Sequence, residues 1–383
     1  MKINISFFLI NHNSIGGVER VTLSLLKKFE ALHIKTKYIF SLGDTSRDNK
    51  IIQFPEHIKI IGLSKEHFIE ELKNHIKKNN ITHLIFQGDN MTISKNILKA
   101  IKQTNCKAFL HYHGSPYAYL RKNIYWYDIK ENPINIVKNG IAKVFYPFKK
   151  AKLLHNIQNS TDGFITVSNG AKKELQNIYK RTFNNIVCIH NPASFIQEEE
   201  PDNTKKEKVV ILISRLVRKH KNVLLALRTW KHLHQKYPDW ELQILGGGLL
   251  LPKLKKYISD YSLQNVNLVG HVNNVDDYLK KSAISLSTSD TEGFSMTTYE
   301  AMSFKIPIVL TKSYGGIYDI VTDKKNGLFS PKDDDKKLAQ NLELLINDEE
   351  LRLKMGNESY QKYEELQKED IISQWIKVLQ IKQ

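Results

Sequence analysis

Short apolar runs alternate with longer amphipathic stretches along the first half of the chain. The strand-like runs are Lys2–Ile10, Lys35–Leu42, His83–Gln87, Lys107–His111, Gly163–Val167 and Ile186–Ile189. Stretches with helical periodicity lie between them, such as Val18–Leu32 and Ile93–Lys102. Strands that alternate with helices form βα units, and such units build a parallel sheet. The first half therefore predicts one α/β domain.

The second half repeats this alternation. Its strand-like runs are Val209–Ser214, Glu241–Leu245, Val266–Val269, Ile284–Ser287 and Ile308–Thr311. A polar, turn-rich segment from Asn191 to Lys208 separates the two halves. A length of 383 residues is also that of two ordinary domains. We therefore predict two Rossmann-like parallel-sheet domains, residues 1–195 and 205–365, that face a cleft.

The composition is that of a folded protein of the cytoplasm, with 41% hydrophobic and 25% charged residues. Cys106 and Cys188 are far apart, so their spacing predicts neither a disulfide framework nor a zinc site. The run Ile3–Ile10 is interrupted by polar residues and is interpreted as a strand, not as a signal peptide. No stretch approaches the roughly 20 apolar residues of a membrane span. We expect a cytoplasmic protein.

The net charge of +17 is unevenly distributed. Residues 1–200 carry +13, whereas residues 201–383 carry +4. Excess positive charge attracts polyanions in general, so nucleic acid, anionic lipid and acidic substrates are all candidate partners on this basis.

The segment Ser287–Leu310 carries the strongest chemical signal. It places Glu292 and Glu300 on either side of a loop-to-helix junction, with Gly293 in the loop and a predicted helix from Met296 to Phe304. Free backbone N–H groups at a helix start favour a phosphate, and a glutamate one turn into the helix can accept hydrogen bonds from a vicinal diol. Phosphate, diol and a sugar hydroxyl together describe a nucleotide sugar.

The same segment resembles the donor-site motif of the retaining glycosyltransferases of family 4. The similarity lies in E-G-F followed by a small residue, then Y-E-A-M, then a Pro-Ile-Val strand, and weaker matches extend it over nearly the whole chain. It implies the two-domain GT-B fold, with the nucleotide sugar bound by the second domain and the acceptor by the first. It also implies that residues 366–383 form a helix that crosses back onto the N-terminal domain.

Two motifs of the first half fit this resemblance. Gly16 and Gly17 stand at a strand-to-helix turn, where the missing Cβ lets a substrate approach the backbone, and G-G-V-E-R resembles the glycine loop of the family. His113 follows the strand that ends at His111, and ligands of open α/β sheets gather at the carboxyl ends of strands. In the family, a histidine at this place contacts the transferred sugar.

In the second half, the strand Val209–Ser214 leads into S-R-L-V-R-K-H-K-N-V. Arg215 and Lys221 resemble the Arg and Lys that hold the donor diphosphate, where positive charge offsets the charge that grows on the leaving group. The usual spacing places the Lys where this chain has His220. We assign Lys221, and Lys219 stays the alternative. The resemblance thus implies catalytic roles for His113, Arg215, Lys221 and Glu292.

The remaining donor contacts are also implied by the resemblance. The expected donor-binding residues are Gly16, Gly17, Gly246, Gly247, Gly270, His271, Val272, Gly293, Phe294, Ser295, Met296, Thr297 and Glu300. Glu300 is expected to hold the ribose. The acidic runs at residues 276–277 and 333–335 are interpreted as helix starts, and no D-x-D stands at a plausible strand end. We predict no metal and no cofactor.

Residues 116–159 interleave aromatic residues with Lys and Arg. This mixture suits an anionic membrane surface and equally suits single-stranded nucleic acid or an amphipathic helix pair over the first sheet. If it is functional, we expect peripheral contact with the cytoplasmic face of the inner membrane, where a lipid-linked acceptor would be met, and no nucleic acid.

The sequence therefore favours a retaining, metal-independent transferase. It would move a hexose or N-acetylhexosamine from a UDP-sugar to a glycan or lipid-linked acceptor in bacterial surface polysaccharide or lipopolysaccharide assembly. The donor sugar, the acceptor and the choice between UDP and GDP stay open. A nucleotide-sugar epimerase or phosphorylase on the same fold is the first alternative, and a basic nucleic-acid-binding protein is the second.

Overall fold

The computed structural model describes residues 3–12, 16–43, 53–88, 90–120, 149–180, 185–193, 199–217, 221–313 and 315–381. The strands are β1 Ile5–Leu9, β2 Thr36–Leu42, β3 Lys59–Leu63, β4 His83–Gln87, β5 Lys107–Tyr112, β6 Gly163–Thr166, β7 Ile186–Cys188, β8 Glu207–Ile213, β9 Glu241–Leu245, β10 Val266–Gly270, β11 Ser282–Ser287, β12 Ile308–Thr311 and β13 Gly327–Ser330. The helices are α1 Gly17–Ala31, α2 Phe68–Lys78, α3 Met91–Ile101, α4 Pro116–Leu120, α5 Asn169–Tyr179, α6 Val223–Trp230, α7 Leu251–Asp260, α8 Val275–Lys281, α9 Met296–Met302, α10 Ile317–Ile320, α11 Asp335–Asn347, α12 Glu349–Gln367 and α13 Ile371–Leu379. Residues 149–159 form a further helical stretch.

The chain divides into two compact units. The first unit contains Met1–Pro192 together with Asp370–Gln383, and the second contains Ala193–Glu369. Each unit has its own parallel sheet and its own cluster of buried apolar side chains.

The first unit is built on a parallel sheet of seven strands in the order β3-β2-β1-β4-β5-β6-β7. The strand order reverses between β1 and β4, and crevices at such a reversal are where open α/β sheets bind ligands. The central strands are buried on both faces; all five residues of β1 and of β4 are buried. This double burial explains why these strands appear in the sequence as short apolar runs.

The C-terminal helix α13 belongs to the first unit. Its Trp375 is fully buried and meets the ring of Phe29 edge-on at 6.3 Å and that of His111 at 5.0 Å. The imidazole Nε2 of His83 lies 3.0 Å from the carbonyl oxygen of Leu379, at the end of α13. The last residues of the chain therefore complete the core of the unit that holds the N-terminus.

The second unit is built on a parallel sheet of six strands in the order β10-β9-β8-β11-β12-β13. The order reverses between β8 and β11. The apolar cluster on this sheet includes Trp230 and Trp240, with Leu338 and Leu342 of α11. The two units thus repeat one topology, in which strands three, two and one lie on one side of the reversal.

The predicted α/β class with two parallel-sheet, Rossmann-like domains is confirmed. Two strands, β3 and β13, were not predicted from the pattern, and both lie at sheet edges. β3 has one buried residue, and β13 has only two apolar residues between Gly327 and Ser330, so neither produces the apolar run of a central strand. The interpretation of residues 333–335 as a helix start is confirmed, since the Asp334 side chain accepts a hydrogen bond from the amide of Lys337.

Candidate functional site

The carboxyl ends of three neighbouring strands in the second unit are joined by glycine backbone. The amide of Gly246 donates to the carbonyl oxygen of Gly270 at 2.7 Å, and the amide of Ser214 donates to Leu245 at 2.9 Å. A Cβ on Gly246 would lie 1.9 Å from the Ser214 carbonyl oxygen, and the φ of Gly246 is +131°. Only glycine therefore allows this approach of the loops after β8 and β9.

Arg215 follows the end of β8 and is exposed. Among the described residues its guanidinium makes no hydrogen bond or ion pair, so it is available to an anionic ligand. Gly247 and His271 lie on neighbouring loops and are exposed too; a Cβ on Gly247 would stand 4.0 Å from the Cβ of His271. Val272 follows and is partly buried. The structure therefore gathers these predicted residues at one edge of the second sheet.

A pocket lies between the ends of β8 and β11 and the first turn of α9. Hydroxyl groups dominate its polar lining: Ser214, Ser285, Ser287, Thr288, Ser289, Thr297 and Thr298. One cationic side chain, that of Lys221, is part of the same lining. Hydroxyls and an ammonium group are suitable donors for phosphate oxygens.

Lys221 and Glu292 form an ion pair between Nζ and Oε1. Their side chains are only 20% and 14% exposed, so this pair is largely removed from water. Thr288 Oγ1 donates to the carbonyl oxygen of Lys221 at 3.1 Å and fixes the backbone at that position. The alternative lysine, Lys219, and the neighbouring His220 lie outside the described residues. The structure thus brings together two predicted residues that are 71 positions apart.

A polar network that was not predicted holds this loop. Asn222, next to Lys221, has a left-handed backbone with φ of +45°. Its side-chain amide donates to Asp333 Oδ1 at 2.8 Å, and it lies 3.5 Å from Asp290 Oδ1. The buried carboxylate of Asp290 also pairs with Lys332 at 3.5 Å. Three separate loops therefore meet at Asn222, next to Lys221.

The predicted motif around α9 divides into a site face and a core face. Ser295 is the N-cap of α9 and its hydroxyl pairs with Thr298 Oγ1 at 2.8 Å. Glu300 lies one turn into the helix and is buried. The ring of Phe294 instead packs edge-on against Tyr299 at 5.2 Å, and burial raises the pKa of Tyr299. The Phe294 side chain is therefore part of the core.

In the first unit, the glycine loop leads directly into α1. Gly16 is the N-cap of α1 in extended conformation, and Gly17 is its exposed first residue. Residues 13–15 of the same loop lie outside the described residues. One turn into α1, the hydroxyl of Thr22 donates to the carbonyl oxygen of Val18 at 2.8 Å.

His113 belongs to a hydrogen-bonded cluster at the ends of β4 and β5. Its Nε2 lies 2.7 Å from Gln87 Oε1, and Nδ1 of the buried His111 lies 3.1 Å from the same oxygen. The Gln87 Nε2 group donates to Thr22 Oγ1 at 2.7 Å. Burial lowers the pKa of His113 to about 3 and holds the pKa of His111 well below its ordinary value. Both imidazoles are neutral at physiological pH.

Gln87 and Thr22 were not predicted. Each looks ordinary in the sequence, because Gln87 closes an apolar strand and Thr22 lies in the apolar face of a helix. The signal that was available is position: Gln87 is the last residue of a strand at the reversal of strand order, where functional side chains collect.

Most of the predicted membrane segment, residues 121–148, lies outside the described residues. In the part that is described, Lys150 Nζ lies 4.6 Å from the ring centroid of Tyr119. Within the described ranges, no helix has both the length and the apolar character needed to cross a bilayer.

Comparison with known proteins shows which proteins this chain is similar to. Residues 195–362 match the family described as glycosyl transferases group 1. An uncharacterized glycosyltransferase of Haemophilus influenzae is 26% identical over 381 residues, which cover 98% of this chain and 99% of that protein. A Campylobacter jejuni relative is 28% identical over 203 residues, 52% of this chain and 56% of the relative. It is the GalNAc-alpha-(1->4)-GalNAc-alpha-(1->3)-diNAcBac-PP-undecaprenol alpha-1,4-N-acetyl-D-galactosaminyltransferase.

A solved structure shares the fold. A mutant of S. aureus TarM in complex with Fondaparinux, alpha-GlcNAc-glycerol and UDP superposes with a TM-score of 0.74. The superposition covers 99% of this chain and 100% of that one, at 16% sequence identity. The match over both units gives this chain the two-domain architecture of the GT-B glycosyltransferases.

Proposed function

We propose that this chain is a glycosyltransferase that transfers a hexose or N-acetylhexosamine from a nucleotide sugar with retention of anomeric configuration. The match of residues 195–362 to the glycosyl transferases group 1 family supports this proposal. The acceptor is a glycan or a lipid-linked glycan in bacterial surface polysaccharide or lipopolysaccharide assembly. One observation carries the proposal: a hydroxyl-lined pocket at the reversal of the second sheet holds Lys221, paired with Glu292.

The charge pattern of this pocket supports a diphosphate ligand. The Lys221–Glu292 pair satisfies two poorly hydrated charges. When a nucleotide sugar binds, Lys221 turns to the diphosphate and Glu292 accepts hydrogen bonds from sugar hydroxyls. Arg215, exposed at the end of β8, adds a second cation. Positive charge that is in place before bond cleavage stabilises the leaving diphosphate.

The remaining donor contacts follow from position. Glu300, one turn into α9, holds the ribose diol, and the backbone of Gly293 and Phe294 contacts the sugar. The loops at Gly246–Gly247 and Gly270–Val272 support the base. The acceptor attacks on the face from which the diphosphate departs, and the departing phosphate oxygen takes the acceptor's proton. This route uses no carboxylate nucleophile, in contrast to a two-carboxylate glycosidase, and in our proposal it uses no metal.

UDP is the proposed nucleotide. The S. aureus TarM structure of the same fold contains UDP, and the Campylobacter relative is named for transfer of an N-acetylated hexosamine to an undecaprenol-linked glycan. A lipid-linked acceptor would be met at a membrane surface. The +13 charge of residues 1–200 supports peripheral binding to anionic lipid, and flotation with vesicles with and without phosphatidylglycerol tests it.

A donor screen with the purified full chain tests the proposal. Slow release of nucleoside diphosphate would be recorded from UDP-glucose, UDP-galactose, UDP-N-acetylglucosamine, UDP-N-acetylgalactosamine and GDP-mannose. Glu300→Gln is the test variant, and Glu350→Gln, at an exposed position of the same unit, is its matched control. We expect one donor to be hydrolysed by the wild type and by the control and not by Glu300→Gln.

Added acceptors then separate the reaction classes. A rate that rises with glycan or polyprenol-linked acceptors supports the transferase. Conversion of the donor that is indifferent to every acceptor would instead indicate an epimerase. Absence of both turnover and saturable nucleotide binding would contradict the donor site itself.

A further inference from the structure

The Gln87 amide in the first unit has only one consistent orientation. The single hydroxyl proton of Thr22 is used in the bond to the Val18 carbonyl oxygen at 2.8 Å. The Thr22 oxygen can therefore only accept from Gln87, which must present its NH₂ group to α1 at 2.7 Å. This leaves the amide oxygen facing the two histidines. The Val18 carbonyl oxygen can only accept, so it determines the direction of every hydrogen bond from Thr22 to the two histidines.

The amide oxygen in turn determines where each imidazole carries its proton. It lies 2.7 Å from His113 Nε2 and 3.1 Å from His111 Nδ1, and an amide oxygen only accepts. Both nitrogens must therefore be N–H donors. In a neutral imidazole the other nitrogen then has a free lone pair. For His113 this is Nδ1, which makes no hydrogen bond within the described residues.

We propose that Gln87, anchored by Thr22, is a positioning residue that fixes His113 in its Nε2–H tautomer and so presents Nδ1 as a hydrogen-bond acceptor to a ligand hydroxyl. Gln87 and His111 are buried, whereas His113 is partly exposed, so the cluster is supported from the inside and open to ligand at His113 alone. The edge of Trp375 at 5.0 Å from the His111 ring closes the cluster on the side of α13.

A consequence for substrate class follows, which rests on the proposed function. If the ligand at His113 is the donor sugar, an acceptor nitrogen requires a hydroxyl that donates. A neutral hexose has donating hydroxyls at C2, C3, C4 and C6, since its anomeric oxygen is bonded to the diphosphate. A hexuronate differs from a hexose at C6, where it would place a carboxylate, which only accepts, against the Nδ1 lone pair. With C6 of the donor sugar at His113, the fixed tautomer therefore favours neutral hexoses and N-acetylhexosamines over hexuronates.

The tautomer can be measured without any turnover. Long-range ¹H–¹⁵N correlation spectra of the full chain with ¹⁵N-labelled histidine distinguish Nε2–H from Nδ1–H, and His113→Gln and His111→Gln identify the two signals. We expect the Nε2–H form for His113 and the Nδ1–H form for His111 near neutral pH. The Nδ1–H form at His113 in the wild type would overturn the proposal.

Variants of Thr22 and Gln87 test the anchor. Thr22→Val removes the oxygen that orients the amide, so His113 should become a mixture of tautomers, whereas Thr22→Ser should keep the wild-type spectrum. Gln87→Leu should abolish the preference. We expect kcat to fall about tenfold in Thr22→Val and Gln87→Leu, the size of one hydrogen bond between neutral groups, with the Kd for UDP unchanged. An unaltered His113 tautomer in both variants would contradict the positioning role.

The preference for neutral sugars is tested by a separate binding experiment. We expect UDP-glucuronic acid to bind at least about tenfold more weakly than the preferred neutral UDP-sugar. Equal binding would overturn the selection argument and leave the tautomer result standing. Loss of all UDP-sugar binding with the expected tautomers intact would instead contradict the proposed function and not the role of Gln87.

Discussion

The two units share one sheet topology, and they differ in the side chains that lie at the reversal of strand order. The second unit places charged groups there, with Lys221 paired to Glu292, Asp290 paired to Lys332, and Arg215 exposed. The first unit places neutral groups there, with His111 and His113 sharing the oxygen of Gln87. The position of the reversal is thus suited to an anionic ligand in the second unit and to a hydroxylated, uncharged ligand in the first.

The two halves of the proposed reaction therefore rely on different kinds of interaction. A diphosphate is recognised through charge, which acts at a distance and strengthens as the glycosidic bond breaks. A sugar hydroxyl is recognised through direction, because a neutral hydrogen bond contributes only about 1 kcal/mol and depends on which atom donates. The second unit therefore needs cations, and the first needs a defined tautomer.

The largest effect is expected from removing the charge of the second unit. Lys221→Ala should lower kcat/KM by about 10²–10³-fold, the range for loss of one preorganised donor to a developing negative charge. Steady-state kinetics with the identified donor measures this. Lys256→Ala is the matched control, since within the described part of the chain Lys256 pairs with Asp260 on the surface of α7, and it should retain wild-type activity.

The stability of Lys221→Ala separates folding from function, because the variant leaves Glu292 without its partner. The double variant Lys221→Met, Glu292→Gln removes both charges and should unfold at a urea concentration closer to that of the wild type. Full activity in the single variant would show that the second unit does not recognise its ligand through this charge.

An intermediate effect is expected from adding charge to the first unit by acidification. The pKa of buried His111 is lowered in the folded state, so below about pH 6.5 the unfolded chain binds a proton that the folded chain does not. Stability is therefore present above that pH and is lost as the pH falls. Between about pH 7 and about pH 5 the free energy of unfolding should decrease by about 2 kcal/mol through His111 alone.

Urea unfolding followed by circular dichroism measures this loss. His111→Gln keeps an N–H donor and cannot titrate, so its loss on acidification should be smaller than that of the wild type by about 2 kcal/mol. His67→Gln, at an exposed position in the same unit, should show the wild-type loss. An equal loss in all three proteins would mean that His111 takes up its proton without unfolding.

The smallest effect is expected from salt, and it sharpens the contrast between the units. Raising NaCl from about 0.05 M to about 0.5 M shortens the range over which exposed charges act, so binding of UDP should weaken about fivefold. The ratio of kcat between Gln87→Leu and the wild type should not change, since that contact involves no charge. Isothermal titration and parallel kinetics check both. A salt-dependent kcat ratio would argue against a neutral first unit.

The fold was largely predictable because its signals are local. Central parallel strands are buried on both faces and stand out as apolar runs, as at His83–Gln87 and Glu241–Leu245, whose predicted bounds agree with the structure. β3 and β13 lack such a run and were missed. The site residues were predicted in a different way, from motif resemblance, which supplies residue types and leaves their contacts unspecified.

Residues close together in the chain were enough to predict the alternation of strands and helices, the glycine turns and the acidic motif at Glu292 and Glu300. The contacts of Lys221 with Glu292, 71 positions away, and of Gln87 with His113, 26 positions away, are formed only in the folded chain. Those pairs form because parallel strands in register bring their carboxyl ends to one edge of a sheet. No local periodicity encodes that register. The register in turn determines the charge pairing in the pocket and the tautomer of His113.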